Sequence, residues 1–181
     1  MSAAPLPPLT LVLGGARSGK SAFAERLAEE NGGPLYLATA EPLDDEMSDR
    51  IGRHRARRGP AWKTVEAPLA LVPALAAHAG TGRTVVVDCL TLWLSNLLAA
   101  GRDLDNETGH LLESLPALEG VVIFVSNEVG LGIVPESARV RRYVDALGRL
   151  HQALAEHADR VYFLVAGIAS LIKSNVGSEG R

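Results

Sequence analysis

Short apolar runs alternate with amphipathic stretches along almost the whole chain. Several apolar runs are continuous rather than alternating, which is typical of strands buried on both faces of a parallel sheet. The predicted strands span residues 9–13, 35–39, 63–66, 84–88, 121–126 and 160–165. The predicted helices span residues 20–30, 44–57, 69–78, 90–99, 107–115 and 137–157. This order predicts right-handed crossovers and an α/β fold with a doubly wound, mostly parallel sheet.

The pattern shows no internal repeat and no break that would separate two domains. A chain of 181 residues is of ordinary size for one domain. We therefore expect a single domain over residues 9–173, with a loose N-terminal extension at 1–8 and a loose tail at 174–181.

A glycine-rich octet, GGARSGKS, joins the first predicted strand to the first predicted helix. It matches the phosphate-binding P-loop, in which backbone N–H groups at a helix N-terminus surround phosphate oxygens. In this motif Lys20 reaches the β- and γ-phosphates and the Ser21 hydroxyl is a ligand of Mg²⁺. The alternative is a chance match in a glycine-rich turn, which the flanking strand and helix disfavour. The predicted phosphate-binding residues are Gly14, Gly15, Ala16, Arg17, Ser18, Gly19, Lys20 and Ser21.

A second candidate is Asp88, which ends the apolar run 84–88. P-loop proteins place an acid of this kind beside the Mg²⁺ that the loop serine holds. Because ligands bind at the carboxyl ends of parallel strands, Asp88 is expected at the same edge of the sheet as the P-loop. The alternative is an N-cap for the helix that follows.

A basic segment carries the third candidate, His54. Met47, Ile51 and His54 are spaced so that they share one helical face. Neighbouring guanidinium groups disfavour protonation of the imidazole, which keeps it nucleophilic, and they can also bind phosphate oxygens. Attack of His54 on an α-phosphate would give a phosphoramidate. The alternative is a solvated basic face with a packed histidine. The segment's arginines are Arg50, Arg53, Arg55, Arg57 and Arg58.

Residues 127–136 follow a predicted strand and read NEVGLGIVPE. Two glycines and a proline favour a shaped loop over the site, although a simple connector fits the same residues. The other histidines, among them His151, have no metal-ligand spacing and are expected in surface or helix-packing positions.

Composition limits the partners. The net charge of −3 gives no sign of nucleic-acid binding, and there is no apolar stretch long enough for stable membrane insertion. The single cysteine, Cys89, excludes an internal disulfide. Residues 1–8 lack the basic and apolar regions of a signal peptide, so we expect a cytoplasmic protein.

Several motifs together resemble a known enzyme family. They are GGARSGKS at 14–21, LDDEM at 43–47, RI-x-x-HR at 50–55, DCLTLWLSNLL at 88–98 and NEVG-x-GIVPE at 127–136. The chain resembles the bifunctional adenosylcobinamide kinase / adenosylcobinamide-phosphate guanylyltransferase over about residues 9–173.

The resemblance implies a RecA-like P-loop fold, a homotrimer, Mg²⁺, and ATP or GTP as substrates. It implies that adenosylcobinamide is phosphorylated and that GMP from GTP is then transferred to the phosphate through a guanylylated histidine, which matches His54. Beyond the P-loop, it places nucleotide contacts on Ala38, Thr39, Ala40, Arg55, Ala56, Arg57, Arg58, Glu66 and Asp88.

The chain departs from the family's usual pattern at Val144, His151 and Ala169, and the effect on either activity is left open. Two other functions remain possible at this stage. One is a single-step P-loop kinase for a small alcohol, with a structural His54. The other is a nucleotide-dependent binding switch, which the compact length disfavours.

Overall fold

The computed structural model describes residues 6–42 and 44–175, and its elements follow the predicted alternation. The strands are β1 (Leu9–Gly14), β2 (Pro34–Ala38), β3 (Lys63–Glu66), β4 (Thr84–Asp88), β5 (Val121–Asn127), β6 (Arg160–Val165) and β7 (Ile168–Ser174). The helices are α1 (Lys20–Asn31), α2 (Asp45–Arg57), α3 (Leu71–His78), α4 (Leu90–Ala99), α5 (Leu104–Ser114) and α6 (Ala138–His157), and a 3₁₀ turn (Leu115–Ala117) follows α5.

These strands form a seven-stranded sheet in the order β3-β2-β4-β5-β1-β6-β7. All neighbouring pairs are parallel except β6 and β7, so the predicted doubly wound, mostly parallel sheet is confirmed. β5 alone separates β1, which leads into the P-loop, from β4, which ends at Asp88. The carboxyl ends of these three strands therefore share one edge of the sheet.

Buried side chains cover both faces of the sheet, which explains why the strands are continuously apolar. On one face, Phe124 and Val87 pack in a cluster with Trp93 of α4 and Leu147 of α6. On the other face, the cluster around Ile123 includes small residues of α1, so this helix lies close to the sheet. No helix in the described ranges is long and apolar enough to cross a bilayer.

The strand β7 and the start of α5 differ from the prediction. β7 pairs antiparallel with β6 through a tight turn at Ala166 and Gly167, which have φ values of 51° and 81°. Its apolar side chains are largely exposed at the sheet edge, so its sequence lacks the alternation of a half-buried strand. Helix α5 begins earlier than predicted because the Asp103 carboxylate caps its first turn.

The expectation of loose ends is wrong for the residues at the two borders of the domain. Leu6 is buried, and its N–H donates to Asn31 Oδ1 at 2.6 Å. Ser174 belongs to β7, and the Asn175 N–H donates to the Asp159 carbonyl at 2.8 Å. The rest of both predicted ends, residues 1–5 and 176–181, lies outside the described residues.

Candidate active site

The P-loop residues connect β1 directly to the N-terminus of α1. A Cβ atom at Gly14, where φ is +148°, would lie 2.4 Å from the Leu164 carbonyl oxygen, so this approach requires glycine. The Lys20 ammonium lies within the loop, 2.6 Å from the Gly15 carbonyl oxygen. The turn between β6 and β7 contacts the P-loop, where the Gly167 N–H donates to the Ser18 carbonyl at 3.0 Å.

Asp88 lies at the same edge of the sheet, at the end of β4. The Tyr36 hydroxyl donates to its Oδ2 at 2.8 Å. Burial and the adjacent Asp88 carboxylate raise the pKa of Tyr36 well above its usual value, so the phenol stays a hydrogen-bond donor at neutral pH. Because Cys89 occupies the N-cap position of α4 and its side chain makes no cap, Asp88 is not the helix cap that the sequence left open.

Two adjoining pockets open at this edge, each of about 300 Å³, within the range of small-molecule sites. The first, which we call the phosphate pocket, is lined by the P-loop residues from Arg17 to Ser21 and by Arg53 and Arg57. The second, which we call the side pocket, lies between β2, β3 and α2. Ser21, His54, Asp88 and Cys89 line both pockets.

His54 therefore lies at the junction of the two pockets, on α2. Met47 and Ile51 line the side pocket with it, which confirms that the three residues share a face of this helix. Asp44 is the N-cap of α2, and its carboxylate accepts the Met47 N–H at 2.7 Å.

Three arginines of the basic segment, Arg55, Arg57 and Arg58, contact carboxylates or an aromatic ring. Glu25 of α1 is buried, and its Oε2 accepts a hydrogen bond from Arg57 Nε at 2.8 Å. Its Oε1 lies 3.5 Å from Arg58 Nη1, at ion-pair distance. The Arg58 guanidinium carbon lies 3.6 Å from the Tyr36 ring centroid. At the mouth of the side pocket, Arg55 pairs with Glu66 at 2.6 Å. The ion pairs of Arg57 and Arg58 with Glu25 thus join α2 to α1.

We predict that Glu25→Gln lowers the free energy of unfolding by about 3 kcal/mol, because it leaves the buried Arg58 guanidinium without its counter-charge. Urea unfolding of the variant checks this value. Glu30→Gln, on an exposed part of the same helix, is the matched control and should change stability by less than about 0.5 kcal/mol. Equal stabilities of the two variants would contradict the structural role of the Glu25 pair.

The structure brings most of the predicted site residues to the pockets. Ala38, Ala40, Arg55, Arg58 and Glu66 line the side pocket. Thr39 and Ala56 line neither pocket. The Thr39 side chain is fully buried, and its hydroxyl donates to the Cys89 carbonyl at 2.7 Å. Gly14, Gly15 and Ala16 shape the loop and are not among the residues that line its pocket.

A buried hydrogen-bond network beside the site was not expected from the sequence. His151 Nε2 lies 2.7 Å from Ser126 Oγ, which lies 3.1 Å from Thr91 Oγ1. The Thr91 hydroxyl accepts the Asn127 N–H at 2.7 Å, and the Tyr143 hydroxyl donates to the Thr91 carbonyl at 2.9 Å. In the sequence, only the departure from the family's pattern at His151 pointed to this network. The fold shows that His151 of α6 contacts Ser126 of β5.

Burial lowers the pKa of His151, and the nearby Glu128 carboxylate partly offsets this effect. The imidazole of His151 therefore binds a proton more readily in the unfolded chain than in the folded one. The stability that neutral His151 contributes to the fold is present above about pH 6.5 and is lost as the pH falls below that value. We predict that the unfolding free energy of wild type relative to His151→Gln falls below pH 6.5, by at most about 1.4 kcal/mol per pH unit. Thermal unfolding of both proteins between pH 5 and 8 checks this, and parallel pH profiles would contradict it.

Comparison with known proteins places this chain in a family. A sequence profile described as cobinamide kinase / cobinamide phosphate guanyltransferase matches residues 10–172. The bifunctional adenosylcobalamin biosynthesis protein CobP of Pseudomonas aeruginosa is 55% identical over 166 residues, which cover 90% of this chain and 96% of that protein. The protein CobU of Escherichia coli, described in the same words, is 38% identical over 180 residues, which cover 91% and 99%.

Solved structures add a more distant likeness. An ATPase of the type III secretion system of pathogenic bacteria has a TM-score of 0.54 and 11% identity, covering 90% of this chain and 56% of that chain. The P4 protein of bacteriophage phi6, in complex with ADP, has a TM-score of 0.52 and 14% identity, covering 98% and 64%. These likenesses concern the fold alone, and they confirm the predicted α/β fold with a mostly parallel sheet. The profile match and the two relatives show that the chain belongs to the cobinamide kinase / cobinamide phosphate guanyltransferase family.

Proposed function

We propose that this protein phosphorylates adenosylcobinamide with ATP or GTP and then transfers GMP from GTP to the product through guanylylated His54. The observation that carries the proposal is the position of His54, which lines both the phosphate pocket and the side pocket. A nucleotide whose phosphates occupy the first pocket and whose nucleoside occupies the second has its α-phosphate at their junction.

The P-loop octet is proposed to bind the β- and γ-phosphates. Around the nucleoside, the side pocket offers an apolar wall that includes Ala38 and Ala40, and a charged mouth formed by Arg55 and Glu66. Because Thr39 and Ala56 line neither pocket, we expect their nucleotide contacts to be weaker than those of their neighbours.

The donor set fits Mg²⁺. Ser21 and Asp88 line the same pockets and supply a hydroxyl and a carboxylate oxygen, and Mg²⁺ is commonly held by one or two such groups together with substrate phosphates. When bound there, the ion supplies charge neutralisation to the β- and γ-phosphates. Tyr36 fixes the orientation of the Asp88 carboxylate through its hydrogen bond to Oδ2.

In the first reaction, the acceptor's hydroxyl oxygen bonds to the γ-phosphorus and the nucleoside diphosphate leaves. This chemistry depends mainly on positioning and on neutralising phosphate charge, which Lys20 and the backbone N–H groups of the loop provide.

In the second reaction, the neutral imidazole of His54 bonds to the α-phosphorus of GTP, and the bond to the pyrophosphate oxygen breaks. A phosphate oxygen of adenosylcobinamide phosphate then attacks the same phosphorus and releases His54. The covalent intermediate divides a transfer between two bulky substrates into two smaller steps. The link from Arg57 and Arg58 to Glu25 holds the end of α2, and with it His54, close to the P-loop helix.

Incubation with GTP labelled on its α-phosphate, in the presence of Mg²⁺, tests the proposal. We expect a label on the protein that acid removes and base does not, because a phosphoramidate has this lability. Adenosylcobinamide phosphate should discharge the label into adenosylcobinamide-GDP. Phosphorylated cobinamide without labelled protein would instead indicate the single-step kinase, and nucleotide hydrolysis alone would indicate the switch.

We further infer that the enzyme is a cytoplasmic homotrimer, as the family resemblance implies. The buried, unbridged Cys89 thiol is compatible with a reducing compartment. Light scattering of the purified protein tests the assembly, and a mass of one 19.1 kDa chain in the presence of nucleotide would contradict it.

A further inference from the structure

The phosphate pocket contains a polar residue that the proposed function has not used. Asn127 is the last residue of β5, the strand between β1 and β4. In the sheet register it lies beside Gly14, whereas Asp88 lies beside Val125, two residues earlier. Asn127 therefore stands farther out toward the open edge than Asp88, and it lines the phosphate pocket together with Lys20.

The side-chain amide of Asn127 makes no hydrogen bond to any residue that the structure describes. A carboxamide offers both donors and an acceptor without adding charge. It can therefore donate to a phosphoryl oxygen or accept from an alcohol at the same position. Phosphoryl transfer requires positioning of this kind, and in some P-loop enzymes a glutamine amide orients the attacking group.

The backbone at Asn127 is fixed by the buried network described above. The Asn127 N–H donates to Thr91 Oγ1, and the Thr91 hydroxyl lies next to Ser126 Oγ, which contacts His151. The following N–H, that of Glu128, donates to the Gly14 carbonyl at 3.0 Å. These bonds connect the end of β5 to β1 on one side and to α4 on the other. They fix the backbone that carries the side-chain amide of Asn127.

Resting on the proposed function, we propose that Asn127 is a catalytic residue of the phosphoryl-transfer step, and that Thr91 positions it. The amide donates a hydrogen bond to the γ-phosphoryl group as the acceptor oxygen bonds to its phosphorus. The bond to the β-phosphate oxygen breaks, the nucleoside diphosphate leaves with the electron pair, and the hydroxyl proton passes to water.

This role distinguishes the two reactions of the site. In guanylyl transfer the reacting phosphorus is the α-phosphorus, beside His54, and the γ-phosphoryl group leaves unchanged as part of pyrophosphate. Removing the amide should therefore slow acceptor phosphorylation far more than guanylylation of the protein.

The test compares both half-reactions in Asn127 variants. For Asn127→Ala we expect kcat for adenosylcobinamide phosphorylation to fall about 10²-fold, as for loss of one transition-state donor. The Kd for nucleotide should stay within about twofold and the rate of guanylylation within about fivefold. Asn127→Asp keeps the shape but replaces the donor with a carboxylate that repels the phosphoryl group, so its loss should be at least as large. Asn106→Ala, an exposed amide on α5, is the matched control.

The positioning role of Thr91 is tested by comparing a variant that lacks the hydroxyl with one that keeps it. Thr91→Val removes the acceptor of the Asn127 N–H, and we expect kcat for phosphorylation to fall about tenfold with KM for nucleotide nearly unchanged. Thr91→Ser retains the hydroxyl and should return kcat to within about threefold of wild type. A purely structural contribution would instead lower both half-reactions and the melting temperature together in each variant.

The outcomes separate this inference from the function on which it rests. Wild type that does not phosphorylate adenosylcobinamide contradicts the proposed function, and this inference with it. Wild type that does so, with Asn127→Ala retaining kcat within threefold, overturns this inference alone. Equal loss of both half-reactions in folded Asn127→Ala also overturns it, because the proposed contact is specific to the γ-phosphoryl group.

Discussion

Lys20→Ala is expected to lower both acceptor phosphorylation and guanylylation of the protein by about 10³-fold or more. The ammonium lies within the P-loop, 2.6 Å from the Gly15 carbonyl oxygen, where no other described lysine lines the pocket. In the proposed function both reactions use the same phosphate site, and in both the developing charge would fall on oxygens that this cation neutralises. Rates with labelled nucleotide, measured at saturating Mg²⁺, check the prediction.

Lys63→Ala is the matched control, because Lys63 is an exposed lysine at the start of β3, away from the carboxyl edge of the sheet. It should retain both rates within about twofold. Substantial guanylylation in Lys20→Ala would show that the two reactions use separate phosphate sites, and the single-site interpretation would be wrong.

His54→Ala is expected to have the second large effect, which should be selective for GMP transfer over phosphorylation. We expect transfer of GMP to fall by roughly 10⁴-fold or more, because a variant without the proposed nucleophile cannot form the proposed covalent intermediate. Phosphorylation of adenosylcobinamide should stay within about tenfold, since Lys20, Ser21 and Asp88 remain in place. Quantifying both products from one reaction mixture measures the ratio directly.

His110→Ala replaces an exposed histidine on α5 and serves as the comparison, with both activities retained. An equal loss of the two activities in His54→Ala, with a lowered melting temperature, would point to a fold defect. A label that persists on His54→Ala after GTP treatment would place the covalent intermediate on another residue.

The fold was predictable from sequence where burial imposes a pattern. The strands that carry the P-loop and Asp88 are apolar on both faces, and glycine and proline mark the end of α1, so these elements fall close to the predicted bounds. β7 was missed because an edge strand needs no such pattern, and its apolar residues Ile168 and Ile172 are exposed. The start of α5 was misplaced because the Asp103 cap was not recognised.

The site was predictable where a motif fixes the chemistry within one segment. Lys20 and Ser21 follow from their place in the P-loop, and Asp88 from the strand that it ends. Tyr36 could not be predicted as the partner of Asp88, because the two residues are 52 positions apart and meet only through the pairing of β2 with β4. The same holds for Glu25, whose pairing with Arg57 joins two helices across a distance that sequence spacing does not encode.

The Glu25 pairing has a consequence for any attempt to transplant this chemistry. The helix whose first turn carries Lys20 and Ser21 also carries, one turn later, the carboxylate that fastens the end of α2 just beyond His54. In the proposed function, phosphate binding and placement of the nucleophile would both depend on α1, so a shift of this helix would displace both. A designer who grafts the histidine segment onto another P-loop scaffold would have to bring this acidic anchor too, or the imidazole would lose its alignment with the phosphorus.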